Sequence, residues 1–178
     1  MRRIAFIGIA VLTLSSAAAA QAQKPIELGV DGSLAFGLDS PRITTLSVPV
    51  QQLRVGFFVT PTVSIEPTGS LDYVHSGNNS GSVLNLGVGA LFHLNAAQTE
   101  PQPYVRPFLS VYRNSYDTPV GDESNTALAL GAGVGVKIPF ATRLAWRLEG
   151  AYAHRFKGGS IDSFDNLQLL FGLSYFTR

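Results

Sequence analysis

Between Asn166 and Phe176 the chain alternates with a period of two. Leu167, Leu169, Phe171, Leu173 and Tyr175 fall on one face, and Asn166, Gln168, Gly172 and Ser174 on the other, with Leu170 and Phe176 as apolar intruders. A segment with this period is a β-strand with two unlike faces. Seven earlier segments repeat the pattern. Ile26, Leu28, Val30, Leu34 and Phe36 alternate with Glu27, Gly29, Asp31, Ser33 and Ala35. The second strand runs from about Ile43 to Val59, and its apolar set moves from Leu46, Val48 and Val50 to Leu53, Val55, Phe57 and Val59. That change of phase predicts a β-bulge at Gln51 and Gln52. In the third, Val63, Ile65, Leu71 and Tyr73 oppose Ser64, Glu66, Thr68, Ser70 and Asp72. Leu84 to Leu94, Tyr104 to Arg113, Leu128 to Ile138 and Leu144 to Arg155 supply the other four.

Eight strands with apolar outer faces and polar inner faces predict a closed barrel, because closure alone leaves no unpaired edge in lipid. Thr60-Pro61 and Pro139-Phe140 are expected to be tight turns at one end, joined there by the longer connector Asn95 to Pro103. Ser76 to Gly81, Asn114 to Asn125 and Lys157 to Ser163 are expected to be polar loops at the other. Pro49 and Pro67 require bulges or breaks, since a closed sheet has no edge where a missing N–H goes unnoticed. Two aromatic girdles are predicted, with Phe57, Phe92, Tyr104, Trp146 and Tyr175 toward the turns and Phe36, Tyr73, Tyr152 and Phe164 toward the loops.

Composition sharpens this picture at the N-terminus. Arg2 and Arg3 precede the apolar run Ile4 to Leu14, and Ala18, Ala20 and Ala22 follow at the spacing of a cleavage site. Residues 1–22 therefore read as a cleaved secretory signal peptide, leaving 23–178 as one barrel domain. Of 13 basic residues the leader removes two, so 11 stand against 12 acids, and nothing in the balance calls for nucleic acid. Without cysteine there is no disulfide framework and no thiol nucleophile. No later apolar run is long enough for a membrane helix.

With the closing Gly172-Leu173-Ser174-Tyr175-Phe176 in view, the mature chain resembles the outer-membrane β-barrel superfamily of Gram-negative-type bacteria, in its eight-stranded OmpA/OmpX or opacity-like form. The resemblance implies an all-β, eight-stranded, antiparallel, up-and-down transmembrane barrel, placed in the bacterial outer membrane as a monomer. It also implies contact with outer-membrane lipid and lipopolysaccharide, and it makes Gly172, Tyr175 and Phe176 a closing-strand signal for the barrel-assembly machinery. Thr177-Arg178 stands where that signal usually ends in its aromatic.

The inward positions carry the acids Glu27, Asp31, Glu66, Asp72 and Glu149 and the bases Arg54, Arg106, Lys137, Arg143, Arg147 and Arg155. An eight-stranded interior is only wide enough for side chains, and charges in it are costly unless paired. These residues are expected to form an ionic plug, with Gly87, Gly89, Gly131, Gly133 and Gly135 making room for the long arginines; a narrow polar channel is the rival reading. A soluble lipocalin-like barrel would need an apolar interior instead.

Catalysis has one candidate. The region Tyr152 to Phe176 distantly resembles the end of PagL-type lipid A deacylases, whose motif is His-x-Ser-Asn. Here Phe156 and Lys157 occupy the Ser and Asn places after His154, so the nucleophile is missing. His75-Ser76 does not match that spacing either. His75, His93 and His154 lie on different strands and do not predict a metal site, and Gly131, Gly133 and Gly135 recur at strand period with no helix to follow, which is not a nucleotide loop. The sequence thus predicts a small structural or surface-interaction barrel, with no enzyme activity, cofactor or metal.

Overall fold

The computed structural model describes residues 25–39, 44–76, 79–97, 99–118 and 121–177. The segment expected to be a signal peptide and most of the turn expected at Asp39-Ser40-Pro41 lie outside them. Eight antiparallel strands follow one another around a closed barrel: β1 (Ile26–Gly37), β2 (Thr44–Thr60), β3 (Val63–Ser76), β4 (Asn79–His93), β5 (Gln102–Thr118), β6 (Gly121–Ala141), β7 (Leu144–Arg155) and β8 (Phe164–Phe176). β8 closes on β1 in unbroken register from Glu27↔Phe176 to Gly37↔Asn166.

The barrel is apolar outside and charged inside. Leu46, Leu71 and Val134 are each about two-thirds exposed on the outer face, whereas Glu27, Asp31, Glu66, Lys137 and Arg147 have no exposed surface. Strand alternation produces this directly, since every second side chain enters the lumen.

Both prolines sit where the ladder fails. An interval of two residues on β1, Asp31 to Ser33, faces five on β2, Gln52 to Ser47, and Pro49 lies within that excess. The phase change expected at Gln51-Gln52 is this irregularity. Pro67 keeps its register with Val88 on β4, but toward β2 the paired positions stop at Arg54↔Thr68 and resume at Phe57↔Ile65.

Several connections differ from expectation. Ser76 to Gly81 and Asn114 to Asn125 are mostly strand: β3 and β4 pair up to Ser76↔Asn79, and β5 and β6 up to Thr118↔Gly121. Polar strand ends of this kind give no apolar alternation to read, because both faces project into water. The turn expected at Pro139-Phe140 falls instead at Thr142-Arg143, and Pro139 sits at a register shift just before it. As a result β3 to β6 rise well above β7, β8 and β1, whose ladders stop at Ala129↔Arg155, Arg155↔Phe164 and Gly37↔Asn166.

Inward glycines clear space rather than bend the chain. A Cβ at Gly135 would stand 2.4 Å from the Tyr104 hydroxyl and 2.6 Å from the Leu148 carbonyl, whereas one at outward Gly150 would meet nothing nearer than Leu169 at 3.9 Å. Gly135→Ala is expected to lower stability by about 1–3 kcal/mol through overpacking, and Gly150→Ala to stay within about 0.5 kcal/mol of wild type. Urea unfolding of the two variants in lipid vesicles checks the contrast.

Candidate functional site

The lumen holds one connected network of four acids and four bases. Lys137 Nζ donates to Glu27, and Glu27 Oε1 accepts from Arg54 Nη1 at 2.6 Å. The Arg54 guanidinium also reaches Asp31 through Nε at 2.9 Å and Glu66 through Nη1 at 3.4 Å. From Glu66 the chain passes to Arg147 Nη1 at 2.7 Å, then through Arg147 Nη2 to Glu149 at 2.5 Å. Glu149 ends it by accepting from Arg106 Nη2 at 2.5 Å.

Seven strands contribute. β1 brings Glu27 and Asp31, β2 Arg54, β3 Glu66, β5 Arg106, β6 Lys137, and β7 both Arg147 and Glu149. β8 enters through Ser174, whose hydroxyl donates to Glu27 Oε1 at 2.7 Å and accepts from Arg54 Nη2 at 2.8 Å. β4 supplies room: a Cβ at Gly89 would press on the Arg106 chain at 3.1 Å. The arrangement uses the forked donors of arginine, which bind several carboxylates at once where lysine could not.

Three residues expected in the plug lie elsewhere. Asp72 has the inward parity but stands exposed at the raised end of β3, above the packed lumen, and Arg143 is exposed in the β6–β7 turn. Neither forms an ion pair among the described residues. Strand parity fixes a side chain's face but not its height along the barrel. Arg155 does point inward, yet its guanidinium lies over the rings of Phe164 at 5.2 Å and Tyr112 at 5.9 Å rather than on a carboxylate.

Tyr104, expected in the outer girdle, is also corrected. It is buried in the lumen, where its hydroxyl donates to Glu149 at 2.8 Å. The alternation of β5 itself places Tyr104 inward beside Arg106, and burial agrees with that parity rather than with the girdle. Beneath the charges an apolar floor closes the turn end: Phe58, Ala145 and Phe176 cluster, and Phe58 stacks on His93 with centroids 5.5 Å apart. The glycines named for arginine packing serve varied neighbours, Gly133 lying against Glu149 and Gly131 against Phe108.

The residues named for the assembly signal divide between the faces. Gly172 abuts Asp31, where a Cβ would stand 2.1 Å from Oδ1; Phe176 packs into the floor; Tyr175 projects outward. Above the network lies a cavity of about 30 Å³ bordered by Gln52, Asn85, Arg106 and Tyr112. That is space for a water or two.

His154 lies on the outer wall at the loop end. Its Nδ1 is 2.7 Å from Asp165 Oδ1, which also accepts from the Tyr152 hydroxyl at 2.6 Å. The Ser160 hydroxyl donates to Glu123 instead. Among the described residues no hydroxyl hydrogen-bonds to His154. His93 belongs to the floor, and no group of three metal-ligating residues converges among the described residues.

Arg54→Ala would leave the buried Asp31 without a cation, and Glu27 and Glu66 with only Lys137 and Arg147, and is expected to cost about 3–5 kcal/mol, while Arg143→Ala should fall within about 0.5 kcal/mol of wild type. Unfolding midpoints in lipid vesicles measure both.

Comparison with known proteins adds the following. A family model described as the outer membrane protein beta-barrel domain matches residues 7–175. No curated protein sequence matches the chain. Among solved structures, neisserial surface protein A (NspA) superposes with a TM-score of 0.62 at 17% identity, covering 86% of this chain and 99% of that one. Ail, the attachment invasion locus protein of Yersinia pestis, gives 0.53 at 9%, covering 85% and 97%. The N-terminal β-barrel domain of OprF from Pseudomonas aeruginosa gives 0.52 at 15%, covering 87% and 100%.

Proposed function

The chain belongs to the outer membrane β-barrel family, and from that premise we propose that it is a closed, non-conducting wall protein whose working surface is the raised sheet of β3 to β6. The observation that carries this reading is the balanced network: four acids and four bases, almost wholly buried, joined through consecutive ion pairs across the lumen. A conducting lumen would keep its charges hydrated. Here they neutralise one another over an aromatic floor.

The raised sheet supports the surface role. Its hairpins carry Asp117, Asp122 and Glu123 on one side and the Ser-Gly-Asn-Asn-Ser-Gly stretch on the other, chemistry suited to polar contacts with lipopolysaccharide or another surface. No catalytic role is proposed: among the described residues the hydroxyl at the His154–Asp165 pair is the Tyr152 phenol, which donates to Asp165 and not to His154. The outward Tyr175 and the closing β8 are consistent with recognition by the barrel-assembly machinery, which we include in the proposal.

Planar-bilayer recording of wild type and of a variant lacking Ser115 to Glu123, each first checked for a heat-dependent shift in electrophoretic mobility, tests the reading. Both are expected to shift on boiling and to stay electrically silent. Stepwise conductance in wild type that Arg147→Ala changes in selectivity would make the lumen a channel. Failure of the deletion to fold would make the hairpin part of the barrel's own framework.

A further inference from the structure

The wall is split between β2 and β3 in the half away from the turns. β3 and β2 pair at Arg54↔Thr68 and Leu53↔Gly69, and among the described residues no pair joins them beyond Leu53↔Gly69. β3 nevertheless keeps its ladder with β4 from Gly69↔Leu86 to Ser76↔Asn79, and β2 resumes pairing with β1 at Ser33↔Ser47. Each strand therefore follows its other neighbour, and the seam between them opens.

The opening is a crevice of about 530 Å³. Leu53, Leu71 and Leu86 line it from the outer face, and Gln52, Ser70 and Asp72 from the inner face. Gln52 also borders the small cavity above the ionic network, so one side chain lies between the crevice and the lumen.

In a family of outer-membrane barrels with short periplasmic turns, this half of the wall stands in the outer leaflet. Strand groups that lack a ladder partner are not left facing hydrocarbon; such backbone persists in a membrane only where polar groups or water reach it. The lining indicates which polar group. It offers amides and a hydroxyl, contains no Arg or Lys, and includes the carboxylate of Asp72. Phosphate and carboxylate heads are repelled by that acid, with no cation in the lining to offset it.

We propose that the β2–β3 seam binds a single-chain amphiphile with an uncharged, hydroxyl-bearing head, of the monoacylglycerol type. The tail lies along Leu53, Leu71 and Leu86 among the surrounding acyl chains. The head enters between the strands, where the Gln52 Oε1 (its Nε2 donates to Asp31 at 3.0 Å), Ser70 and the backbone of β3 that faces β2 hydrogen-bond to its hydroxyls.

The test uses the refolded, isotope-labelled barrel in phosphatidylcholine nanodiscs, reading the side-chain amide resonances of Gln51 and Gln52 during titration with 1-lauroylglycerol, laurate or dodecyltrimethylammonium. Saturable shifts with lauroylglycerol, at least tenfold weaker with the two charged amphiphiles, are expected. Gly69→Leu should abolish them: Gly69 lines the crevice, and a Cβ there meets Leu86 at 3.5 Å and the Asn85 carbonyl at 4.0 Å, ordinary van der Waals contacts. Leu71→Trp, at a two-thirds exposed outward position, should obstruct the same mouth and serves if Gly69→Leu does not fold. Absence of shifts in wild type, equal or stronger shifts with a charged amphiphile, or shifts that persist in a folded blocking variant would each overturn the proposal.

Discussion

Charges inside a dry, narrow lumen must neutralise one another, and the rest of this barrel depends on that requirement. Arg54 alone joins Glu27, Asp31 and Glu66 from three strands, and Ser174 ties the same guanidinium to the closing strand. A one-residue slip of any of these strands would carry its charge into lipid and leave its partners unpaired in the lumen. The network therefore specifies register as well as filling space. Whether it also adds net stability over an apolar filling is a separate matter, since buried ion pairs repay their desolvation only when geometry and hydrogen bonding are complete. Around Arg54 both are close to complete: its Nε, Nη1 and Nη2 all have acceptors.

Above the network the wall is uneven. β3 to β6 continue as a paired sheet into the space beyond the bilayer, while β7, β8 and β1 stop early. Pro49 lies on β2 in the stretch that has left β3, where it removes an N–H from the ladder. The seam between β2 and β3 opens on that side, whereas Pro67 interrupts the ladder below it, between Arg54↔Thr68 and Phe57↔Ile65. Closure at the plug and openness at the rim are thus produced by different residues on the same two strands.

Much of this was legible in sequence, for a physical reason. Period two is a strong signal when lipid enforces an apolar face, so Leu167 to Tyr175 and the charged positions Glu27, Glu66, Lys137 and Arg147 declare their sides. Height along the strand has no such signal, and Asp72 and Arg143, with inward parity or near it, lie outside the network. Aromatics were harder. Tyr104 and Phe58 have inward parity but the chemistry of girdle residues, and they prove to line the lumen and its floor. Polar strand ends such as Asn114 to Thr118 read as loops because water rewards neither face. The seam was invisible, since it lies in which neighbour β2 and β3 keep, a property of pairing rather than of either strand.

The measurement closest to the central claim is a double-mutant cycle on Glu66 and Arg147, comparing Glu66→Gln, Arg147→Met and the double variant by equilibrium unfolding in lipid vesicles. If the ion pairs act as one network, each single variant is destabilised, and the double variant is more stable than their sum predicts by about 1–3 kcal/mol. Simple additivity of the two losses would mean that the charges are lodged in the lumen without holding one another, and the account of register and closure would fail with it.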